Sequence, residues 1–192
     1  EFKRRFGDPT PIVIGGTPYS ADGLSARLLR RVVDKVTETE GGPPAGVAVT
    51  YPANWGDYKT DLLGQAIARA DLARVAPDRV TTVTEPEAAA IHYASQERID
   101  PGAVVAVYDL GGGTFDVAVL RKTAAGWDIL GRPEGVERLG GVDIDEAVFQ
   151  HVVSVLDGAV ERLDPDEPGS LAAVARLRAD CVEAKEALSS DT

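Results

Sequence analysis

Asp109 and Asp116 flank three glycines and a threonine in the stretch VYDLGGGTFDV, residues 107–117. If Gly111, Gly112, Gly113 and Thr114 form a four-residue hairpin tip, the two aspartates oppose each other on its arms. Directly opposed like charges cost a strand pair roughly 0.2–1 kcal/mol, and consecutive glycines cost chain entropy. A fold bears both costs more readily if a cation sits between the carboxylates. Three unshielded glycine N–H groups at a tip also make a concavity for an anion, and Thr114 adds a hydroxyl donor. A metal ion beside a row of N–H donors suits a polyphosphate, because magnesium bridges phosphate oxygens and neutralises their charge. A bare GGG is more often a plain turn with solvated aspartates. The whole D-L-G-G-G-T-F-D unit following a strand argues against that alternative. No G-x-x-x-x-G-K-[ST] loop occurs anywhere in the chain.

The elements that must position this turn are legible as patterns. IVIGGTPY (12–19) reads as a hairpin around Gly15-Gly16. Ser20 caps a helix over about 21–39 with the apolar stripe Leu24, Leu28, Val32, Val36, stopped by Gly41-Gly42-Pro43-Pro44. GVAVTYP (46–52) is a buried-strand run ended by Pro52. Asp57 caps a second helix carrying Leu63, Ile67 and Ala70. RVTTVTEP (79–86) is another strand, and Pro86 opens an alanine-rich helix over about 87–97 in the favoured first-turn position. After a boundary near 99–103, strands at 104–110, 114–121 and 126–132 form a meander. A helix follows, with Asp143 and Glu146 at capping-box spacing and a stripe of Ile144, Val148, His151 and Val155. His151 thus reads as a core-edge histidine, and His92 likewise. An acidic connection (157–170) leads to a last helix capped by Ser170, with the stripe Leu171, Val174, Cys181, Leu188. Alternating strand and helix, then a meander and helices, predict an α/β protein of two lobes with a cleft between them.

Composition narrows the function. The 192 residues are 44% hydrophobic and 27% charged, which predicts a packed core. A net charge of −11 repels phosphate backbones and anionic lipid, so neither nucleic acid nor a membrane surface is an expected partner. Any phosphate must be held locally. One cysteine rules out an internal disulfide and fits a reducing compartment. No His/Cys cluster suggests zinc, and no nucleophile–histidine pair is evident. No signal peptide pattern opens the chain. The absence of methionine and the opening EFKRRF read as a piece excised from a longer protein, with Glu1-Phe2 as a cloning remnant.

VYDLGGGTFDV resembles the second phosphate-binding hairpin of the seventy-kilodalton heat-shock chaperones, the DnaK-like members of the actin and hexokinase superfamily. Other stretches agree in order along nearly the whole chain. VAVTYPANWGD resembles the family's V-T-V-P-A-Y-F segment, TEPEAAAIHYA its N-E-P-T-A-A-A stretch, and RLGGVDIDEAV its L-G-G-E-D-F-D. LRADCVEAKEALSS resembles its adenosine-contacting helix, and FKRRFGDP the segment bearing its catalytic lysine. The resemblance implies an incomplete two-lobed actin-like ATPase fold, with a ribonuclease H-like motif and mixed sheets flanked by helices. Residues 1–102 would belong to the first lobe and 103–192 to the second.

The resemblance also implies roles. Lys3 would contact the γ-phosphate and attacking water; on local pattern it is only one of a basic run. Glu85 would orient water or metal ligands in a cleft, where otherwise it would serve the helix dipole. Asp109 and Asp116 would organise magnesium, with potassium as a further candidate cation. Gly111, Gly112, Gly113 and Thr114 would hold the β- and γ-phosphates of ATP or ADP, with Gly140 and Gly141 near the nucleotide rather than in a simple turn. Lys185 and Ser189 would contact adenosine, although a solvated helix face serves Lys185 nearly as well. Pro52 ends its strand in either case. In the family the matching proline also relays nucleotide state through a nearby arginine. This sequence departs at that arginine position (Thr60), at the usual glutamate (Val142), and at a glutamate and a basic residue of the adenosine site (Val182, Glu186).

The implied activity is ATP hydrolysis coupled to binding of unfolded protein clients through another domain, with co-chaperone and nucleotide-exchange partners, in the cytoplasm. The family's D-x-G-T-T and G-G-x-x-x-x-P motifs are absent. The piece alone is therefore expected to bind ATP weakly and turn it over negligibly. The rival expectation is a pseudoenzyme that keeps the fold as an interaction or regulatory module. A sugar-kinase-like phosphotransferase fits the motif order less well.

Overall fold

The computed structural model describes residues 2–72, 79–164 and 166–190. They cluster into two compact units: Glu1–Asp109 with Asp116–Val136, and Leu110–Phe115 with Glu137–Thr192. Glu1 and Pro165, which belong to the expected cloning remnant and acidic connection, lie outside the described residues.

The first unit opens with a 3₁₀ turn, Phe2–Arg5, that carries Lys3. Strands β1 (Ile12–Ile14) and β2 (Thr17–Tyr19) form the expected antiparallel hairpin. Gly15 and Gly16 turn it at φ 56° and 79°, a region where a side chain would be strained. Helix α1 (Ala21–Glu40) begins at Ser20, whose hydroxyl accepts the Gly23 N–H, and ends at Gly41 in the left-handed conformation, φ 72°. Strand β3 (Val47–Tyr51) pairs in parallel with β4 (Val80–Thr84), Val47 beside Val80 and Tyr51 beside Thr84. Helix α2 (Asp57–Arg69) follows β3, and α3 (Glu85–Gln96) springs directly from β4 with Pro86 in its first turn. Strands β5 (Val104–Leu110), β6 (Phe115–Lys122) and β7 (Trp127–Val136) form the expected meander, in that spatial order.

Two cores hold this unit. Phe6, Ala26, Val33, Val49, Leu63, Ala66, Ala70 and Leu72 form one, where α1 and α2 meet β3. Ala90, Ala118, Leu120 and Trp127 form the other, under the meander and α3. Leu72 and Leu120 are fully buried. Burial of each such side chain contributes roughly 1.5–3 kcal/mol.

The second unit contains the hairpin tip and two helices, α4 (Gly141–Val155) and α5 (Pro168–Ala187). Phe149 and Val153 of α4 pack on Cys181 of α5, with Val174 and Leu177 alongside. No described helix is long and apolar enough to cross a membrane.

Several expected faces and caps are displaced. On α1 the stripe Leu28, Val32, Val36 is exposed, while Ala26 and Val33 are buried with Leu29 against them. The helix carries two overlapping apolar rows, and α2 presents Ala66 and Ala70, so the row containing the small Ala26 docks. On α4, His151 and Val155 are exposed and the buried row is Phe149–Val153. On α5, Leu171 and Leu188 point outward. His92 is exposed as well.

The caps move because their helices start earlier. The N-cap of α2 is Gly56, with Asp57 the first helical residue. Pro168 opens α5 with Glu167 as N-cap, which leaves Ser170 buried inside the first turn. The N-cap of α4 is Gly140, so Asp143 lies within the first turn, where its charge still favours the helix dipole. Glu146 makes no capping box; it accepts hydrogen bonds from Gln150 and Arg178.

Candidate functional site

In the first unit Lys3 and Glu85, 82 residues apart, form an ion pair with Nζ 2.8 Å from Oε1. The 3₁₀ turn presents the lysine, and its last residues are anchored by Phe6, which stacks on Trp55 with ring centroids 4.6 Å apart. Glu85 is the first residue of α3, so the end of β4 fixes its position. Its other oxygen, Oε2, is buried without a hydrogen-bond partner among the described residues, as is the neighbouring Thr84 Oγ1. A buried carboxylate oxygen left unpaired is costly, so this one has acceptor capacity for a water or a ligand.

Glu85, Asp109 and Asp116 line one cavity, together with Pro52, Asn54 and Pro133. Its volume is about 10 Å³, roughly the room one water-sized particle needs. Asp109 is exposed near the end of β5, and Asp116 is half-buried near the start of β6. Asn54, in the turn closed by the Trp55 N–H on the Pro52 carbonyl, donates from Nδ2 to Asp116 Oδ1 at 3.3 Å. Pro52 itself is buried.

In the second unit the glycine tip is closed as its spacing implies, by the Gly111 N–H donating to the Thr114 carbonyl at 2.9 Å. The tip is also bound to the start of α4. The Gly141 N–H donates to the Gly111 carbonyl (3.0 Å) and the Val142 N–H to the Gly112 carbonyl (2.9 Å). Gly140 is buried against the tip, and a Cβ there would lie 2.5 Å from the Gly113 nitrogen and 2.7 Å from the Gly112 carbonyl carbon. Only glycine fits this approach. Two of the N–H groups that every helix start leaves unpaired thus support the tip, and the positive end of the α4 dipole lies against it.

Lys185 of α5 reaches back to α4, with Nζ 2.5 Å from Asp145 Oδ1 and 3.3 Å from the Gly141 carbonyl oxygen. Ser189 is exposed just past the end of α5. Arg178 pairs with Glu146 and lies over the Phe149 ring, Cζ 3.7 Å from its centroid. The hydrogen bond from Arg178, followed by that from Gln150, holds the Glu146 carboxyl below its usual 4.5.

Residues that local pattern did not single out are Asn54, Gly135 and Asp145. Asn54 stands where the similar segment P-A-Y-F has an aromatic residue, and that substitution was the available signal. The partners of Gly135 and Asp145 are remote in sequence and leave none.

Among the described residues no group of three or more His, Cys, Asp or Glu is arranged to hold a metal ion. Magnesium does not require one. It keeps several waters and is commonly held by one or two carboxylates together with phosphate oxygens. Asp109 and Asp116 supply two such carboxylates, with Glu85 Oε2 on the same wall; the cavity has room for about one water-sized particle, so the ion's other waters would stand outside it.

The chain matches the family described as Hsp70 protein over residues 9–192. It is 38% identical over 149 residues to a Chaperone protein HscA homolog of Vibrio cholerae serotype O1 (strain M66-2), covering 76% of this chain and 21% of that protein. A Chaperone protein HscA homolog of Azotobacter vinelandii is 38% identical over 175 residues, 90% of this chain and 25% of the relative. Heat shock 70 kDa protein BIP3 of Oryza sativa subsp. japonica is 34% identical over 170 residues, 88% of this chain and 24% of the relative. The chain thus spans between a fifth and a quarter of the length of these relatives. With the glycine tip, the parallel β3–β4 pair and the meander in family order, this chain belongs to the Hsp70 family, as a stretch of its nucleotide-binding domain with the actin-like ATPase fold.

Proposed function

We propose that this chain supplies part of the ATP-binding and ATP-hydrolysing machinery of a chaperone that couples nucleotide state to the binding of unfolded clients. Lys3 and Glu85 position the attacking water, and the Lys3 ammonium stabilises charge on the transferring phosphoryl. Asp109 and Asp116 hold magnesium or potassium with its waters. Bound magnesium neutralises phosphate charge. Gly111, Gly112, Gly113 and Thr114 hold the β- and γ-phosphates, with donors from Gly112, Gly113 and Thr114 because the Gly111 N–H closes the tip; Gly140 and Gly141 hold that tip, and Lys185 and Ser189 serve the adenosine. Residues 1–102 belong to the first lobe of the family fold and 103–192 to the second. Pro52 relays nucleotide state. Clients, co-chaperones and exchange factors engage the full-length protein in the cytoplasm. Catalysis in such a site is mainly positioning and electrostatics.

The observation that carries this reading is Glu85, with one oxygen on Lys3 and the other buried, unpartnered and lining a cavity shared with Asp109 and Asp116. The test is single-turnover ATP hydrolysis by the full-length protein, with and without Asp109→Ala. The substitution is expected to slow the rate at least about a hundredfold, and equal rates would overturn the assignment. The 192-residue chain alone is expected to bind magnesium-ATP weakly, and tight binding by calorimetry would contradict that.

One observation favours the second reading, a pseudoenzyme used as an interaction or regulatory module. At the relay position the Thr60 hydroxyl turns back onto its own helix and donates to the Asp57 carbonyl at 2.9 Å. Val142, Val182 and Glu186 depart further from the family pattern. A wild-type hydrolysis rate no faster than that of Asp109→Ala would select this reading.

A further inference from the structure

We infer that Asn54 is a positioning residue for Asp116, and that Gly135 is glycine in order to leave room for their contact. The inference rests on the reading that Asp116 helps hold the cation.

Three observations converge within the first unit. The Asn54 amide donates to one oxygen of Asp116, 62 residues away, at 3.3 Å. Asn54 lines the cavity shared by Asp109, Asp116 and Glu85, and also lines the neighbouring polar pocket with Arg132, Glu134 and Gly135. A Cβ built on Gly135 would lie 2.5 Å from Asn54 Nδ2 and closer still to Asp116 Oδ1. The backbone of Gly135 is outside the left-handed region, so its conformation does not demand glycine. The space beside the two side chains does.

The chemistry suits an amide. A carboxylate can rotate about its side-chain bonds, and a single donor on one oxygen restricts it while leaving the other oxygen to a ligand. Lysine or arginine would also fix it, but would cancel the charge that attracts a cation. A neutral amide orients Asp116 and preserves its charge. Asn54 also lies in the turn after Pro52, next to the Trp55 that stacks on Phe6, three residues from Lys3. The support for Asp116 and the support for Lys3 thus share one turn.

The experiment uses the full-length protein with ¹⁵N-labelled asparagine side chains, and Mn²⁺ with saturating ADP as the probe. The Asn54 amide resonances are expected to shift on Asp116→Ala and to broaden first as Mn²⁺ is added. Asn54→Ala is expected to raise the half-saturating Mn²⁺ about three- to tenfold with an unchanged melting midpoint, because Asn54 is exposed. Gly135→Ala is expected to raise it in the same direction. Normal Mn²⁺ binding in Asn54→Ala, or Asn54 resonances indifferent to Asp116→Ala, would overturn the inference while leaving the ATPase reading intact. No Mn²⁺ binding by the unsubstituted protein would overturn both.

Discussion

Lys3 Nζ lies 2.8 Å from Glu85 Oε1, and the second oxygen of that carboxylate is buried with no hydrogen-bond partner among the described residues. The pair joins the first turn of the chain to the junction of β4 and α3. It sets an ammonium against a carboxylate that lines the small cavity, and leaves that carboxylate with unused acceptor capacity.

Function and stability should separate at this pair. Lys3 is half-exposed, but Glu85 is only 17% exposed and would lose its partner, so Lys3→Met is expected to cost about 1–3 kcal/mol in urea unfolding. Single-turnover ATP hydrolysis by the full-length Lys3→Met protein is expected to fall about a hundredfold or more. A rate within threefold of the unsubstituted protein would remove Lys3 from the mechanism.

The glycines near the tip are not equivalent. Gly140→Ala drives a methyl group into the backbone of Gly112 and Gly113, and is expected to destabilise by about 1–3 kcal/mol and to weaken ADP binding. Gly112→Ala meets nothing within 4 Å and has no left-handed backbone to strain, so it should stay within about 0.5 kcal/mol. Chemical denaturation of the two variants reads the contrast directly.

The docked face of α1 can be checked by a neighbouring pair of valines. Val33 is 5% exposed and Val32 50%. Val33→Ala is expected to cost about 1–3 kcal/mol, and Val32→Ala less than about 0.5 kcal/mol. The reverse order in urea midpoints would restore the Leu28–Val32–Val36 stripe as the buried one.

The α4–α5 pair should weaken in acid through Glu146. Its carboxyl is held below the ordinary value of 4.5 by Arg178 and then Gln150. A carboxyl depressed in the folded state stabilises fully above its unfolded pKa, and the contribution is lost as pH falls through the folded value. Between pH 6 and 3 the unsubstituted protein should therefore lose stability more steeply than Glu146→Gln. Parallel curves would show that the pair carries no linkage.

Legibility tracked sequence separation. The Gly15-Gly16 hairpin, the Ser20 cap, Pro86 at the start of α3 and the Gly111–Thr114 closure are local, and turn chemistry reveals them. The apolar face of α1 was misread because two rows overlap and only α2, which presents Ala66 and Ala70, decides between them. The caps expected at Asp143 and Ser170 lie three residues earlier, at Gly140 and Glu167. A glycine tip drew α4 to an earlier start, and Pro168 did the same for α5. Resemblance named Lys3 and Glu85, but their direct contact spans 82 residues, and Asn54 on Asp116 spans 62. No periodicity encodes such meetings.

The carbonyls of Gly111 and Gly112 are already engaged by the first amides of α4. Glycine-rich loops ordinarily surrender much conformational freedom when they close on an anion, and that loss subtracts from affinity. Here the freedom is given up during folding, before any ligand arrives. On the proposed reading, the concavity would be a pre-shaped receptor whose grip is limited by charge and fit rather than by the disorder of its own backbone.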